Sequence, residues 1–147
     1  LSVKLSGSPL GTRIHEPKEH DIQAAYFNYI FLRGKTCEKY DLVYSIPNAG
    51  KRGRFARGRI LAEGLRAGFP DVGIAYQGTH LGTRYPGMFI EFKRPRTGRM
   101  SPEQETYKRL LIKAGYLYLV LTDATEAMNI TDAFLGEPGL LEWQHTP

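Results

Sequence analysis

The chain has a single cysteine, Cys37, in 147 residues. One thiol closes no intramolecular disulfide, so stability must come from a packed core, and the reading favours a reducing compartment. No histidine stands beside Cys37 to activate it, and it is read as incidental. Long hydrophobic runs are also missing. The longest, Tyr116 to Leu121, is too short to cross a bilayer and reads as a buried strand. No signal-peptide pattern is visible, so the expected location is cytoplasmic, with no membrane partner. Internal repeats, low-complexity tracts and domain linkers are lacking too. Hydrophobic residues at 41% and charged residues at 24% exclude a disordered chain. This balance and length predict one domain over residues 12–135, with loose termini at 1–11 and 136–147.

Positive charge is in excess: the net charge is +5 and the pI about 9.4. It is concentrated in two stretches. Lys51, Arg52, Arg54, Arg57 and Arg59 form one, and Lys93, Arg94, Arg96 and Arg99 the other. Two such clusters suit a surface that follows a phosphate backbone. They suit two solvated loops equally well, and charge alone does not separate the readings.

Periodicity predicts the element order α-β-α-β-β-α-β-α. A helix from about Lys18 to Phe31 carries Ile22, Ala25, Tyr26 and Tyr29 at helical spacing, with Pro17 in its first turn. Leu42 to Ile46 reads as a strand, Ala49 to Phe55 as a basic, glycine-rich loop, and Arg57 to Ala67 as a second helix closed by Gly68. Asp71 to Tyr76 and Met88 to Lys93 read as two strands of an antiparallel hairpin. Residues 77–87 between them are too long for a tight turn. They either bring His80, Arg84 and Tyr85 to a substrate or form a plain loop, the latter being favoured. Ser101-Pro102-Glu103-Gln104 is a helix start with a capping box, and Tyr107, Leu110, Leu111 and Ala114 make that helix's apolar face. Tyr116 to Thr122 follows as a central strand, and Asp123 to Leu135 as the last helix. A hairpin, a helix and a further strand imply a mixed sheet with helices packed on it.

The chemistry-bearing residues lie on the predicted hairpin. Glu91 and Lys93 are two apart and share a strand face, while Ile90 and Phe92 point into the core. With a turn centred near Gly82, Asp71 falls opposite Lys93, one pleat from Glu91. Two carboxylates this close repel unless a positive charge separates them. A hard divalent cation does so, taking oxygen ligands from one or two carboxylates and from a phosphate. It can polarise a scissile phosphate and activate a water, and Lys93 can orient that water or stabilise developing charge. Against this stand ordinary readings: Asp71 as a turn residue, Glu91 and Lys93 as a solvated sheet face. The apolar flanks argue against the second.

Pro70-Asp71 followed by Glu91-Phe92-Lys93 resembles the PD-(D/E)xK nuclease signature. More narrowly, the chain resembles the VRR-NUC domain, a virus-type replication-repair nuclease module. Ile46-Pro47-Asn48-Ala49-Gly50 is similar to that family's turn after the first strand. Gly64 to Asp71 is similar to its run ending in Pro-Asp, though shortened, and Ile90-Glu91-Phe92-Lys93 continues through Gly98 and Ser101 to Gln104 in its pattern. The likeness extends from about Glu19 to Thr122. It implies a restriction-endonuclease-like α/β fold with a mixed central sheet flanked by helices, and cleavage dependent on Mg²⁺ or Mn²⁺. It implies that Asp71 and Glu91 bind metal with the Phe92 carbonyl, that Lys93 is the catalytic lysine, and that Gln104 faces the site. Glu19, sharing a helix face with Gln23, would be an outer or second-metal carboxylate. Glu16 competes for that role.

The resemblance gives the basic loops a meaning. Asn48, Lys51, Arg52, Arg54 and Arg57, with Arg94 and Arg96, are expected to contact DNA phosphates. No recognition-helix pattern predicts base reading. Minimal stand-alone members are similar to phage-type, dimeric, structure-selective enzymes that resolve four-way junctions. One site cuts one strand, so paired cuts imply a homodimer with two-fold symmetry. The expected function is a dimeric Holliday-junction-resolving endonuclease in a bacterial or phage-infected cell. The alternatives are a flap or linear-duplex nuclease in DNA repair or replication, a non-catalytic DNA-binding module on a nuclease fold, and an interaction domain with merely solubilising loops.

Overall fold

A computed structural model describes residues 15–47 and 54–140. Helix α1 (Glu19–Gly34) leads through a 3-10 turn (Glu38–Leu42) to strand β1 (Val43–Ser45). Helix α2 (Arg54–Ala62) precedes β2 (Val72–Ile74), a small hairpin of β3 (Gly78–His80) and β4 (Thr83–Tyr85), and β5 (Met88–Phe92). Helix α3 (Pro102–Lys113), β6 (Leu117–Leu121) and α4 (Ala124–Leu135) complete the order. The main sheet runs β1-β2-β5-β6. β1, β2 and β5 pair antiparallel, and β5 pairs parallel with β6 through the α3 crossover. This is the expected mixed sheet with flanking helices.

The sheet has two unlike faces. Val43, Val72, Ile74, Met88, Ile90, Phe92, Leu117 and Leu121 point one way and are buried against Ile22, Tyr26 and Ile30 of α1 and Ala127, Phe134 and Leu135 of α4. Period-2 strands meeting helices with an apolar stripe produce this core. The Tyr26 and Phe92 rings meet edge-on at 5.6 Å. The other face carries Phe89, Glu91 and Tyr118 and is covered by α3, through ring contacts from Phe69 to Tyr107 at 4.9 Å and to Phe89 at 5.8 Å. Helix α3 buries no residue fully, and Leu110 and Ala114 are exposed rather than inward.

Between α1 and α4 lies a buried polar staple. Asp132, 2% exposed, accepts from the Tyr40 hydroxyl at one oxygen and from the Tyr29 hydroxyl at the other, each at 2.5 Å. Arg33 Nε donates to Tyr40 Oη at 2.9 Å and lies 3.9 Å from Asp132, while its Nη2 donates to the Pro138 carbonyl at 2.6 Å. Lys39 Nζ reaches Glu137 at 2.5 Å. These bonds hold 137–138 against α1, where a loose tail was expected. Residues 1–14 and 141–147 lie outside the described ones.

Several expectations are corrected. β6 pairs only with β5 among the described residues, so it is an edge strand, not a central one. Helix α2 stops at Ala62 rather than Ala67, because Gly64 turns the chain at φ +102° and the Gly64 and Leu65 amides close on Leu61 and Ile60. Pro17 precedes the Lys18 N-cap instead of entering α1. Residues 77–87 are not plain loop: β3 and β4 pair around Leu81-Gly82, and Gly78 packs against Phe134. No helix among the described residues is long and apolar enough to cross a membrane.

Candidate active site

Alternation along β5 sends Phe89, Glu91 and Lys93 to the α3 side, as expected from their spacing. The solvated-face reading fails, since Glu91 is 1% exposed and Lys93 6%. Lys93 Nζ sits 2.7 Å from Glu91 Oε1 and 4.0 Å from Glu19 Oε1. Glycine at position 98 lets the following turn fold over this lysine, because a Cβ there would strike the Arg94 backbone and Lys93 Cβ.

The start of α3 supplies the next group. Ser101 Oγ accepts from the Gln104 amide at 3.2 Å, and Gln104 Oε1 accepts from the Ser101 amide at 2.8 Å. This capping box locks the glutamine side chain. Its remaining donor, Nε2, points at Glu91 Oε1 and donates to it. The residue is therefore both cap and site contact, two readings that sequence set against each other.

Asp71 heads β2 but does not lie opposite Lys93. Val72 pairs with Ile90, so the register brings Asp71 opposite Glu91. The expected register assumed that the two strands continue into one turn. Instead the connection leaves the sheet and forms its own hairpin, which frees the main pairing to slip by two residues. Asp71 Oδ2 accepts from the Phe92 amide at 2.8 Å, and its backbone carbonyl accepts from Ile46 at 2.8 Å. Those bonds fasten the acid between β1 and β5.

Burial pushes the Glu91 carboxyl up to about 7, the facing Asp71 charge adds to this, and the Lys93 contact offsets only part of it. Glu91 Oε2 is buried without a hydrogen-bond partner. An acceptor of this kind beside a second acid fits a hard cation. Among the described residues no three His, Cys, Asp or Glu side chains gather to hold a metal by themselves. A cation here would take Asp71 and Glu91 and complete its sphere with a carbonyl, water or phosphate, as Mg²⁺ commonly does.

Glu16 and Glu19 part company. Glu16 accepts from the Arg96 amide at 2.5 Å, the Thr97 amide at 3.0 Å and Thr97 Oγ1 at 2.7 Å. The Thr97 hydroxyl chiefly, then these amides, hold its carboxyl below the usual range. Glu16 thus pins the turn after β5, and Glu19 is the acid that approaches Lys93. Arg94 and Arg96 are exposed on that turn. Asn48, Lys51 and Arg52 lie outside the described residues, as do the side chains of Arg54 and Arg57. Arg84 bonds Gln77 at 3.1 Å on the small hairpin, which packs on α4 across the sheet from Glu91. Sequence reasoning missed Tyr118, whose hydroxyl is buried on the Glu91 face; the only signal was a tyrosine inside the apolar run of β6.

Fold and site together define an α/β protein with a buried acid–lysine centre on the middle of a mixed sheet. No family model matches the chain, and no curated protein matches it. Among solved structures it is similar to a protein described as "VRR_NUC domain protein", with a TM-score of 0.62 over 84% of this chain and 93% of that one, at 20% identity. The likeness is one of fold, a restriction-endonuclease-like mixed sheet flanked by helices.

Proposed function

We propose that the chain is a metal-dependent nuclease that hydrolyses DNA phosphodiester bonds. The observation that carries this reading is Glu91: an acid buried in mid-sheet, bonded by Lys93 and Gln104 at one oxygen and unpartnered at the other, with Asp71 opposite. A structural acid at such depth has both oxygens satisfied, as Asp132 does. The shared fold with a VRR_NUC domain protein supports the same class, as does the PD-(D/E)xK-like pattern of Pro70-Asp71 and Glu91-Phe92-Lys93.

In this reading Asp71, Glu91 and the Phe92 carbonyl would hold Mg²⁺ or Mn²⁺, which would polarise the scissile phosphate and activate a water. Lys93, steered by Glu91 and Glu19, presents its ammonium to the non-bridging phosphate oxygens, where charge grows in the transition state. Gln104 keeps Glu91 in one rotamer. Glu19, 4.0 Å from Lys93, helps to place the lysine and would be a reserve ligand for a second cation. Arg94 and Arg96, with Asn48, Lys51, Arg52, Arg54 and Arg57, track the phosphate backbone without reading bases. The finer reading is a homodimer that nicks the two strands of a four-way junction symmetrically, in the cytoplasm of a bacterial or phage-infected cell.

The test is cleavage of a labelled four-way junction, a flap and a linear duplex by wild type and Lys93→Ala, in Mg²⁺, Mn²⁺ and EDTA. Paired symmetric junction nicks, lost in EDTA and in the variant, are the expected result. Cutting of flap or linear duplex alone replaces the junction reading. Junction binding without cleavage in either metal rejects the nuclease and leaves a binding module.

A further inference from the structure

Among the described residues, the buried side-chain polar atoms without a hydrogen-bond partner are Glu91 Oε2 and Tyr118 Oη. One is an acceptor and the other a donor. In the parallel pairing of β5 and β6, Tyr118 stands opposite Phe89, and residues in register share a face. Tyr118 is therefore on the Glu91 face, one pleat away on the neighbouring strand. Packing alone would be served by phenylalanine, and an orphaned buried hydroxyl is destabilising. Native folds keep few such groups, and each calls for a partner.

Resting on the nuclease reading above, we propose that Tyr118 is a positioning residue of this site: its hydroxyl and Glu91 Oε2 hold one water between them, beside the place where the cation binds. No direct bond joins the two atoms, and a buried water needs at least two polar partners, which they supply. Burial, then the charges of Glu91 and Asp71, push the phenol above its usual range, so it remains a protonated donor. Lys93 and Gln104 fix Glu91 from the Oε1 side. Tyr118 fixes it from the other, so that Oε2 is presented in a single direction.

Tyr118→Phe removes the hydroxyl and nothing else. Mn²⁺ affinity of the full chain is measured by titration calorimetry without DNA, alongside the Tm in EDTA and the kcat and KM for the DNA that wild type cleaves. The expected result is Mn²⁺ binding weakened roughly tenfold, the usual scale for a group that orients a metal ligand. The Tm in EDTA should stay or rise, and kcat should fall with KM unchanged. Mn²⁺ affinity equal to wild type, whether or not the Tm shifts, overturns the proposal and leaves Tyr118 a packing residue. Wild type that binds no Mn²⁺ rejects the nuclease reading itself, an outcome distinct from wild type and variant binding alike.

Discussion

Asp132 and Glu91 are buried almost equally, at 2% and 1% exposure, on opposite sides of the sheet. Asp132 is surrounded by donors: the Tyr29 and Tyr40 hydroxyls cap its two oxygens, and Arg33 stands 3.9 Å away. Glu91 has Lys93 and Gln104 on one oxygen, nothing on the other, and a second acid across the strand. The first arrangement ties α1 to α4. The second leaves a buried oxygen without a hydrogen bond, which a proton or a bound cation would relieve. Burial alone does not distinguish the two acids; the count of satisfied lone pairs does, and on the proposed reading that count marks Glu91 as the functional one.

Substitution should separate the two. Asp132→Ala leaves Arg33 and two hydroxyls without their acceptor, and should cost about 3–5 kcal/mol of unfolding free energy by urea titration. Cleavage per folded molecule should stay at the wild-type rate. Glu91→Gln should do the reverse. Cleavage in Mg²⁺ should fall roughly 10²–10³-fold, while unfolding free energy in EDTA at pH 8 should hold or rise by up to about 3 kcal/mol, since no charge is then forced into the sheet. A large stability loss in Glu91→Gln would erase the distinction.

The distinction also has a pH signature. The folded Glu91 carboxyl titrates near 7, above its unfolded value of 4.5. Between these values the folded state holds the proton more tightly, so its contribution to stability is full below 4.5 and lost as pH rises through 7. Metal-free protein should lose up to about 3 kcal/mol over that window, and Glu91→Gln should flatten the slope. A wild-type slope of zero in EDTA would count against a buried, unsatisfied acid.

Smaller effects sharpen the picture. Gln104→Ala removes a cap partner and a Glu91 contact together, so it should cost about 1 kcal/mol of stability and roughly tenfold in cleavage. Equal loss in EDTA and in Mg²⁺ without a rate effect would make it a cap only. Arg96→Ala should reduce the slope of log Kd for DNA against log salt by about 1, with cleavage at saturating DNA unchanged.

Some of this was legible without coordinates and some was not. The Ser101-to-Gln104 cap, the shared face of Glu91 and Lys93, and the α1 core positions Ile22 and Tyr26 are local consequences of helix and strand periods. They hold whatever the rest of the chain does. Ala25, expected on the same α1 face, is exposed, and Ile30 is buried instead. The small hairpin was missed because Gly78-Thr79-His80 carries little strand signal alone and is held against Phe134, far away in sequence. The edge position of β6 was missed because an apolar run reads the same at the middle and the border of a sheet.

By itself the sequence determined which of the candidate residues share a strand face, because a strand's period of two needs no partner to define it. The tertiary structure decided what they face. Asp71 opposes Glu91 rather than Lys93 because the connection leaves the sheet before turning. Gln104 joins the site because α3 starts over β5, and Glu16 and Glu19 divide between turn and lysine by their place around the α1 entry. Above all, the depth of Glu91, its unpartnered Oε2 and the unpartnered Tyr118 hydroxyl on the same face are properties of everything packed around them, and no window of the chain contains them.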